Sequence, residues 1–382
     1  MIKRADVVII GGGVNGCSLA YNLAKRGVDV LLFEKRYLSS GATGSCGAGI
    51  RQQWSTRENA MLAIESVKIF EKLSKELGED IELRQGGYLI AIHDEKEMKQ
   101  AEKNVSMQRS LGLKVDILKS EEINDIVSIL DVKGMKAIGA TFCPTDGHAN
   151  PFKTTFAYAN AARRFGARLY THTSVNKILV RDKSVVGVST DKGVVKTSVV
   201  VNAAGVDSKY IAEKVGVSLP IEPYRKEIMA TERFKPLFEA MVISFKDGIY
   251  FSQQKEGQIV GGIPVPEEKS GYRTMPTFAF LQHMAKTLTR YAPVLKHVNM
   301  LRHWTGFYDV TPDARPLLGE TPGIKGFIQC NGFSGHGFMI SPMVTKLLSD
   351  YIVDGKTNDI LEKLNLNRFK GKKIDREMSV VG

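Results

Sequence analysis

The stretch "ADVVIIGGGVNGCSLAYNLAKRGVDVLLFE", residues 5–34, decides the fold. Residues 5–10 are a short β-branched run, the composition of a strand buried in a parallel sheet. Glycines follow, and "VNGCSLAYNLAKRG" then reads as a helix closed by Gly27. "VDVLLFE" (28–34) is the next strand, so the stretch is one β–α–β unit. Within it stands Gly11-x-Gly13-x-x-Gly16. Gly11 permits the tight turn, Gly13 lets a pyrophosphate approach the backbone, and Gly16 lets the helix pack on the strand. Phosphates then meet free N–H groups at the helix N-terminus, around Val14 and Asn15. Glu34 ends the second strand, where a carboxylate accepts hydrogen bonds from an adenosine ribose and repels the extra phosphate of NADP. The unit predicts dinucleotide binding over a purely structural glycine turn. It leaves FAD and NAD both open.

Bulk properties bound the rest. With 382 residues, 43% hydrophobic and 25% charged, the chain has the composition of a globular protein and the length of two domains. No run approaches the ~18 apolar residues of a membrane span, and the N-terminus is too short in apolar residues for a secretory signal. A cytoplasmic location is expected. The net charge of +12 fits a solvated basic surface, an anionic cofactor or an acidic partner. There is no basic arm and no RNA-recognition signature, and "FKGKKIDR" (369–376) is only a short basic tail, so nucleic acid is not expected. Cys17, Cys46, Cys143 and Cys330 lie far apart without C-x-x-C spacing, which argues against a metal or iron–sulfur site and against a disulfide framework.

Further along, residues 57–77 read as a helix with Met61, Ile64, Phe70 and Leu73 on its apolar side. "GGYLIAIH" is a strand, "DEKEMKQAEKNVSMQRSLG" a polar helix, and residues 150–166 a buried helix. A strand meander follows, with turns at Asp182–Lys183 and Asp191–Gly193. Residues 216–304 mix strands and helices, and "SPMVTKLLSDYIVDG" closes as a helix. No repeat or linker separates these blocks, so the domains are expected to be discontinuous.

Three further stretches are rich in small residues. In "SSGATGSCGAGIRQQW" (39–54), Ser40 and Thr43 can donate to phosphate or ribityl oxygens. Gly44, Gly47 and Gly49 would let the backbone lie along a planar ring. A plain surface loop is the other reading. Ala203-Ala204-Gly205 ends a strand in residues small enough for a ligand to approach, although tight packing alone would also explain them. "CNGFSGHGFMISP" (330–342) holds Gly332, Gly335, His336 and Gly337 just before an apolar helix. The two dense glycine clusters, some 300 residues apart, are expected to hold opposite ends of one long cofactor.

In this order the motifs resemble the D-amino acid oxidase superfamily over essentially the full length. They are most similar to its sarcosine oxidase and glycine oxidase branch, and within it to the β subunits of archaeal dye-linked L-proline dehydrogenases and of heterotetrameric sarcosine oxidase. The resemblance implies an α/β and α+β architecture. A Rossmann-type FAD-binding domain (1–85, 141–215 and 305–382) joins a discontinuous antiparallel-sheet substrate domain (86–140 and 216–304). FAD lies stretched out, with adenosine at the N-terminal unit and flavin under the C-terminal glycine loop. Gly335 to Met339 (with Gly337 and Phe338) bring backbone N–H groups to the flavin, where a helix N-terminus stabilises negative charge. Lys35, Ser45, Ile50, Val175, Gly306 and Phe333 join the implied cofactor-binding set. Arg51 matches an arginine that binds the substrate carboxylate, with a surface ion pair as the plain alternative. Tyr250 falls where relatives place an active-site tyrosine, though an ordinary strand aromatic would look the same. His336, His303 and Tyr308 are the candidates for proton transfer, and His336 could equally make only a loop hydrogen bond.

The chain departs from relatives at three places. Met339 stands where monomeric sarcosine oxidases carry a second carboxylate-binding lysine, Gly306 where some tether FAD through cysteine, and Pro151 where heterotetrameric sarcosine oxidase links FMN through histidine. Non-covalent FAD is expected, in a pocket with fewer cations. FMN, also non-covalent, could lie at an interface with a second flavoprotein subunit. The expected activity is FAD-dependent dehydrogenation of an amino acid or secondary amine, L-proline favoured, by hydride transfer to the flavin, with electrons passed to a partner flavin or acceptor. The alternatives are an oxidase of sarcosine, glycine or a D-amino acid, and a non-catalytic electron-relay subunit.

Overall fold

The structure is a computed structural model that describes residues 4–266, 268–370 and 376–380. Most of the "FKGKKIDR" tail, residues 371–375, lies outside the described residues.

Val7–Ile10 lies inside a six-stranded sheet, flanked in parallel by Val30–Phe33 and Val199–Asn202. Outward from these lie Arg168–Tyr170 on one side and Phe327–Asn331 on the other, both parallel, and Leu317–Glu320 closes the edge antiparallel. Alternate residues of the first strand enter different cores. Val7 and Ile9 pack under helices Val14–Ala24, Pro151–Arg164 and Gly337–Asp354, whereas Val8 and Ile10 pack against the meander side. Burial on both faces is why the strand reads as an unbroken apolar run.

The meander is a three-stranded antiparallel sheet, Val175–Arg181, Ser184–Thr190 and Gly193–Lys196. Its first turn places both Asp182 and Lys183 at positive φ, the geometry of a tight hairpin. Helix Arg57–Leu77 has the expected bounds and buries Ile64, Phe70 and Leu73, while Met61 faces solvent. Helix Pro151–Arg164 starts with Asn150, whose side chain accepts from the Phe152 and Lys153 N–H groups, and with Pro151 at the first turn. It is buried on one side only, and Phe152 and Phe156 are exposed. The last long helix begins at Gly337, four residues before the expected Ser341, so the glycine loop is itself the helix N-terminus.

The second large sheet has eight strands. Its order is Met300–Val310, Glu222–Thr231, Ile259–Gly262, Tyr250–Gln253, Met241–Ser244, Tyr88–Ile92, Gly139–Cys143 and Asp116–Lys119. It is antiparallel except where Met241–Ser244 runs parallel to Tyr88–Ile92, two strands joined through a long excursion of the chain. Residues 141–143 and 305–310 belong to strands of this sheet. A separate core of Phe251, Phe280 and Tyr291 fills its far side, under helix Phe278–Tyr291. A two-stranded bridge, Gly49–Ile50 with Gly147–His148, ties in the Gly/Ser loop.

Candidate active site

A cavity of about 570 Å³ runs between the carboxyl ends of the first strands and the face of the eight-stranded sheet. At one end, Gly11, Glu34 and Ala203 follow strands paired at Ile10↔Phe33 and Ile10↔Asn202, so three strand ends converge. Gly11 has φ +113°, and a Cβ there would stand 2.3 Å from the Ala203 carbonyl oxygen. Gly16 does not line the cavity; it lets the helix sit on the turn, as its place in the motif requires. The Glu34 carboxylate accepts from the Gly12 N–H (2.8 Å) and the Arg36 N–H (2.7 Å), which fixes it at the cavity wall. Lys35 also lines the wall and pairs with Asp207 at 2.7 Å. The Thr43 hydroxyl accepts from the Val14 N–H at 3.1 Å, joining the Gly/Ser loop to the helix N-terminus.

The two glycine clusters meet directly. Asn15 Nδ2 donates to the Gly337 carbonyl at 3.2 Å, across 322 residues of sequence. Two helix N-termini, at Val14 and Gly337, therefore open on one cavity, and both favour anionic groups. Asn15 Oδ1 is buried without a partner, which leaves an acceptor at this junction. Ala204, Gly205, Val175 and Ser40 complete the near walls. Phe333, Gly335, Phe338 and Met339 form the far wall with His336. Gly332 and Ile50 stand behind the lining, as does Gly44.

Three glycines of the Gly/Ser loop face protein contacts that leave little room for a side chain. A Cβ on Gly49 would fall on the Tyr88 hydroxyl, and one on Gly44 would meet the Ser39 carbonyl. Gly47 faces the Tyr250 ring edge, with 3.1 Å from a Cβ to Cε2. Gly306 has its own local reason, because a Cβ there would stand 2.7 Å from Ser45 Cβ, where Trp304 donates to the Ser45 carbonyl.

Arg51 lies at the other end, 3% exposed, with its guanidinium carbon 4.0 Å over the Trp54 ring. Nη2 donates to the Ser379 carbonyl, while Nε and Nη1 are buried with no protein partner among the described residues. Burial disfavours its charged form, and the nearby Glu377 and Asp146 carboxylates oppose that shift. The backbone that carries Arg51 is pinned by Asp146, which accepts from the Gln52 N–H (2.8 Å) and the Gln53 amide (3.0 Å). Burial pushes Asp146 up to about 6.

His336 packs on Trp54 with ring centroids 4.6 Å apart. Both of its ring nitrogens are buried without a hydrogen-bond partner among the described residues, and burial pushes it down to about 4, so the ring is neutral near pH 7. Tyr250 and Tyr308 line the cavity and burial raises both, Tyr308 to about 12, so both hydroxyls stay protonated. His303 does not line the cavity; its Nε2 bonds Glu227 at 2.7 Å and its ring stacks on Phe280.

Several lining residues carried no expected role, and Lys226 is the charged one among them that stands beside the Tyr308 ring. Lys226, from the strand paired at Lys226↔Gly306, lines the cavity and lies 5.4 Å from the Tyr308 ring centroid. Burial pushes it down to about 8. It supplies a second cation that the expectation of a cation-poor pocket missed. Its signal was alternation alone, since Arg225 and Glu227 on either side point into a buried ion-pair cluster. Trp54, which closes the Gly/Ser stretch without a role assigned to it there, and Val380, which no motif marked, also line the cavity.

An elongated cavity with convergent helix N-termini, a fixed carboxylate at one end and unpartnered polar atoms along its length fits FAD. No helix among the described residues is long and apolar enough to cross a membrane.

The family model described as DAO, FAD dependent oxidoreductase, matches residues 6–351. Among curated proteins, the chain is 28% identical to sarcosine oxidase subunit β of Arthrobacter sp over 96% of this chain and 92% of that one. It is also 28% identical to human mitochondrial dimethylglycine dehydrogenase, over 96% of this chain and 44% of the relative. Among solved structures, L-proline dehydrogenase from P. horikoshii is 37% identical, with a TM-score of 0.94 over 98% of this chain and 100% of that one. Glycine oxidase from Geobacillus kaustophilus is 26% identical, with a TM-score of 0.87 over 96% and 99%. With the glycine cradle, the fixed Glu34 and a family match across nearly the whole chain in agreement, the protein belongs to the DAO family of FAD-dependent oxidoreductases, in its sarcosine and L-proline branch, whose enzymes act on CH–NH donors.

Proposed function

We propose that the protein dehydrogenates an amino acid or secondary amine, L-proline being the favoured substrate, and passes the electrons to a partner flavin or other acceptor. Arg51 carries this reading: it is a buried cation at the cavity with two unpartnered donors, the requirement of a carboxylate receptor. The likeness to the P. horikoshii L-proline dehydrogenase over nearly the whole of both chains supports proline.

In this reading residues 1–85, 141–215 and 305–382 mainly hold the cofactor, and residues 86–140 and 216–304 shape the substrate end. Glu34 and the Val14 helix N-terminus take the adenosine and pyrophosphate, and the Gly335–Met339 loop takes the flavin, without a covalent bond. Bound there, FAD would supply the two-electron acceptor for the substrate C–H bond. Arg51 holds the carboxylate and so aims that bond. Tyr88, Met241 and Ile243 exclude water from the same end. The substrate amine must lose a proton, its ordinary pKa being near ~10. Arg51 and Lys226 bias the cavity positively and favour the neutral amine. His336, held neutral by burial, offers a ring nitrogen as a hydrogen-bond acceptor to the amine N–H. Tyr250 keeps its hydroxyl proton and can donate toward the carboxylate.

The resemblance to sarcosine oxidase β subunits supports a cytoplasmic hetero-oligomer with a second flavoprotein subunit, where FMN would be the next electron carrier. Anaerobic titration of the purified protein with L-proline, read by the visible flavin spectrum, tests the proposal. Bleaching by proline with slow reoxidation in air is expected. Fast reoxidation with hydrogen peroxide would make it an oxidase. Bleaching only by sarcosine or glycine would reject proline, and no bleaching by any amine would leave an electron-relay subunit.

A further inference from the structure

The C-terminal segment 376–380 returns across the molecule to the Arg51 end of the cavity. Its anchor is Glu377, 1% exposed. That carboxylate accepts from the Ser55 N–H (3.0 Å), the Thr56 N–H (3.0 Å), the Thr56 hydroxyl (2.5 Å) and Asn59 Nδ2 (3.2 Å), and from the Ser55 hydroxyl. These groups surround the N-terminus of helix Arg57–Leu77, whose own N-cap Thr56 makes no side-chain cap bond. The tail thus supplies the helix with an anion from outside it. Three successive amides of the segment are engaged. Glu377 N–H donates to the Asp313 carbonyl (2.9 Å), Met378 N–H to the Ser55 hydroxyl (2.9 Å) and Ser379 N–H to Glu377 Oε1 (2.9 Å). Beyond the anchor, the Ser379 carbonyl accepts from Arg51 Nη2, and Val380 lines the cavity.

We propose that segment 376–380 is a displaceable strap over the carboxylate end of the substrate site, latched by Glu377 and competing for Arg51 through the Ser379 carbonyl. This rests on Arg51 being the carboxylate receptor. A guanidinium offers two paired edges, Nε with Nη2 and Nη1 with Nη2, and Nη2 belongs to both. Nη2 carries one N–H on each edge, so the Ser379 carbonyl occupies one of the two edges, and a carboxylate that binds that edge displaces it. The carbonyl meets one of five donors and brings no charge, while Nε and Nη1 stay unpartnered. A carboxylate brings two charged oxygens and satisfies a whole edge, so exchange favours the substrate. The arriving anion also lies near Glu377, the carboxylate that acts on Arg51 through space, and repulsion between the two weakens the latch.

The test uses the holoenzyme and acetate as the probe. Amide hydrogen exchange of Glu377, Met378 and Ser379 is followed by mass spectrometry, and acetate binding by calorimetry. Saturating acetate is expected to speed exchange of these amides at least about fivefold. Glu377→Gln should exchange fast without acetate and bind acetate several-fold more tightly. If Glu377→Gln does not fold, Ser55→Ala removes two of the latch bonds and takes its place. Acetate that binds through Arg51, judged by its loss in Arg51→Met, while the three amides keep their protection overturns the strap and leaves the receptor standing. Acetate binding that survives in Arg51→Met removes the receptor, and the strap with it.

Discussion

Arg51 and Gly11 show how much single residues control at the two ends of the cavity. Arg51 has a buried guanidinium stacked on Trp54 and only one donor engaged. Removing one member of a buried charged contact typically costs about 2–5 kcal/mol. Arg51→Met should therefore raise KM for the amino acid substrate roughly 30- to 4000-fold, with the flavin content unchanged; steady-state kinetics beside an absorbance ratio reads both. Gly11→Ala acts at the opposite end. The new Cβ would meet the Ala203 carbonyl in a backbone conformation that alanine rarely adopts. The purified variant should hold about a tenth of the wild-type flavin or less, since strain of this kind costs on the order of 1–3 kcal/mol. A full complement of flavin in this variant would contradict the placement of the adenosine end.

At the scale of elements, the short bridge between Gly49–Ile50 and Gly147–His148 brings two oppositely shifted groups together, Asp146 beside the loop and His148 on the strand. Burial holds His148 near 4, below its ordinary 6.5, so its contribution to stability is present above pH 6.5 and is lost as pH falls through 4. Asp146, raised to about 6 from 3.8, contributes below pH 3.8 and loses that contribution as pH rises through 6. Between pH 4 and 6 the two slopes, each up to about 1.4 kcal/mol per pH unit, oppose each other. Asp146→Asn should give a melting temperature that climbs with pH relative to wild type across this window, and His148→Gln one that falls; parallel curves would show that neither group is shifted. The elements that were legible in sequence share one property, a periodicity fixed by burial. Val7–Ile10 is covered on both faces and reads as an apolar run, and Arg57–Leu77 buries one stripe and reads at helical spacing. Lys226 was invisible because its strand alternates between a cavity and an ion-pair cluster, so charge appears on both faces. The tail was invisible because a carboxylate docking on a distant helix end leaves no local pattern.

For the whole molecule, the cavity is walled by segments from both ends of the chain, so cofactor binding and global stability are coupled. A ligand that binds the folded state alone stabilises by about 4 kcal/mol at a thousand times its Kd. The deflavinated protein should therefore melt several degrees below the holoenzyme, and its midpoint should rise with added FAD; a midpoint indifferent to FAD would mean that the walls form without it. The β–α–β unit announced half of this arrangement and the C-terminal glycines the other half; Ser18 and Asn22 bond Thr345, Arg26 pairs with Asp350 and Asp354, and at the cavity itself Asn15 bonds Gly337. That contact also sets an order of events during synthesis. The β–α–β half of the cradle is made 322 residues ahead of its counterpart, Asn15 against Gly337, and stands open until residue 337 has emerged. A nascent chain that has not reached residue 337 thus lacks the second wall, and its β–α–β unit must hold its shape with half of the cavity open to water.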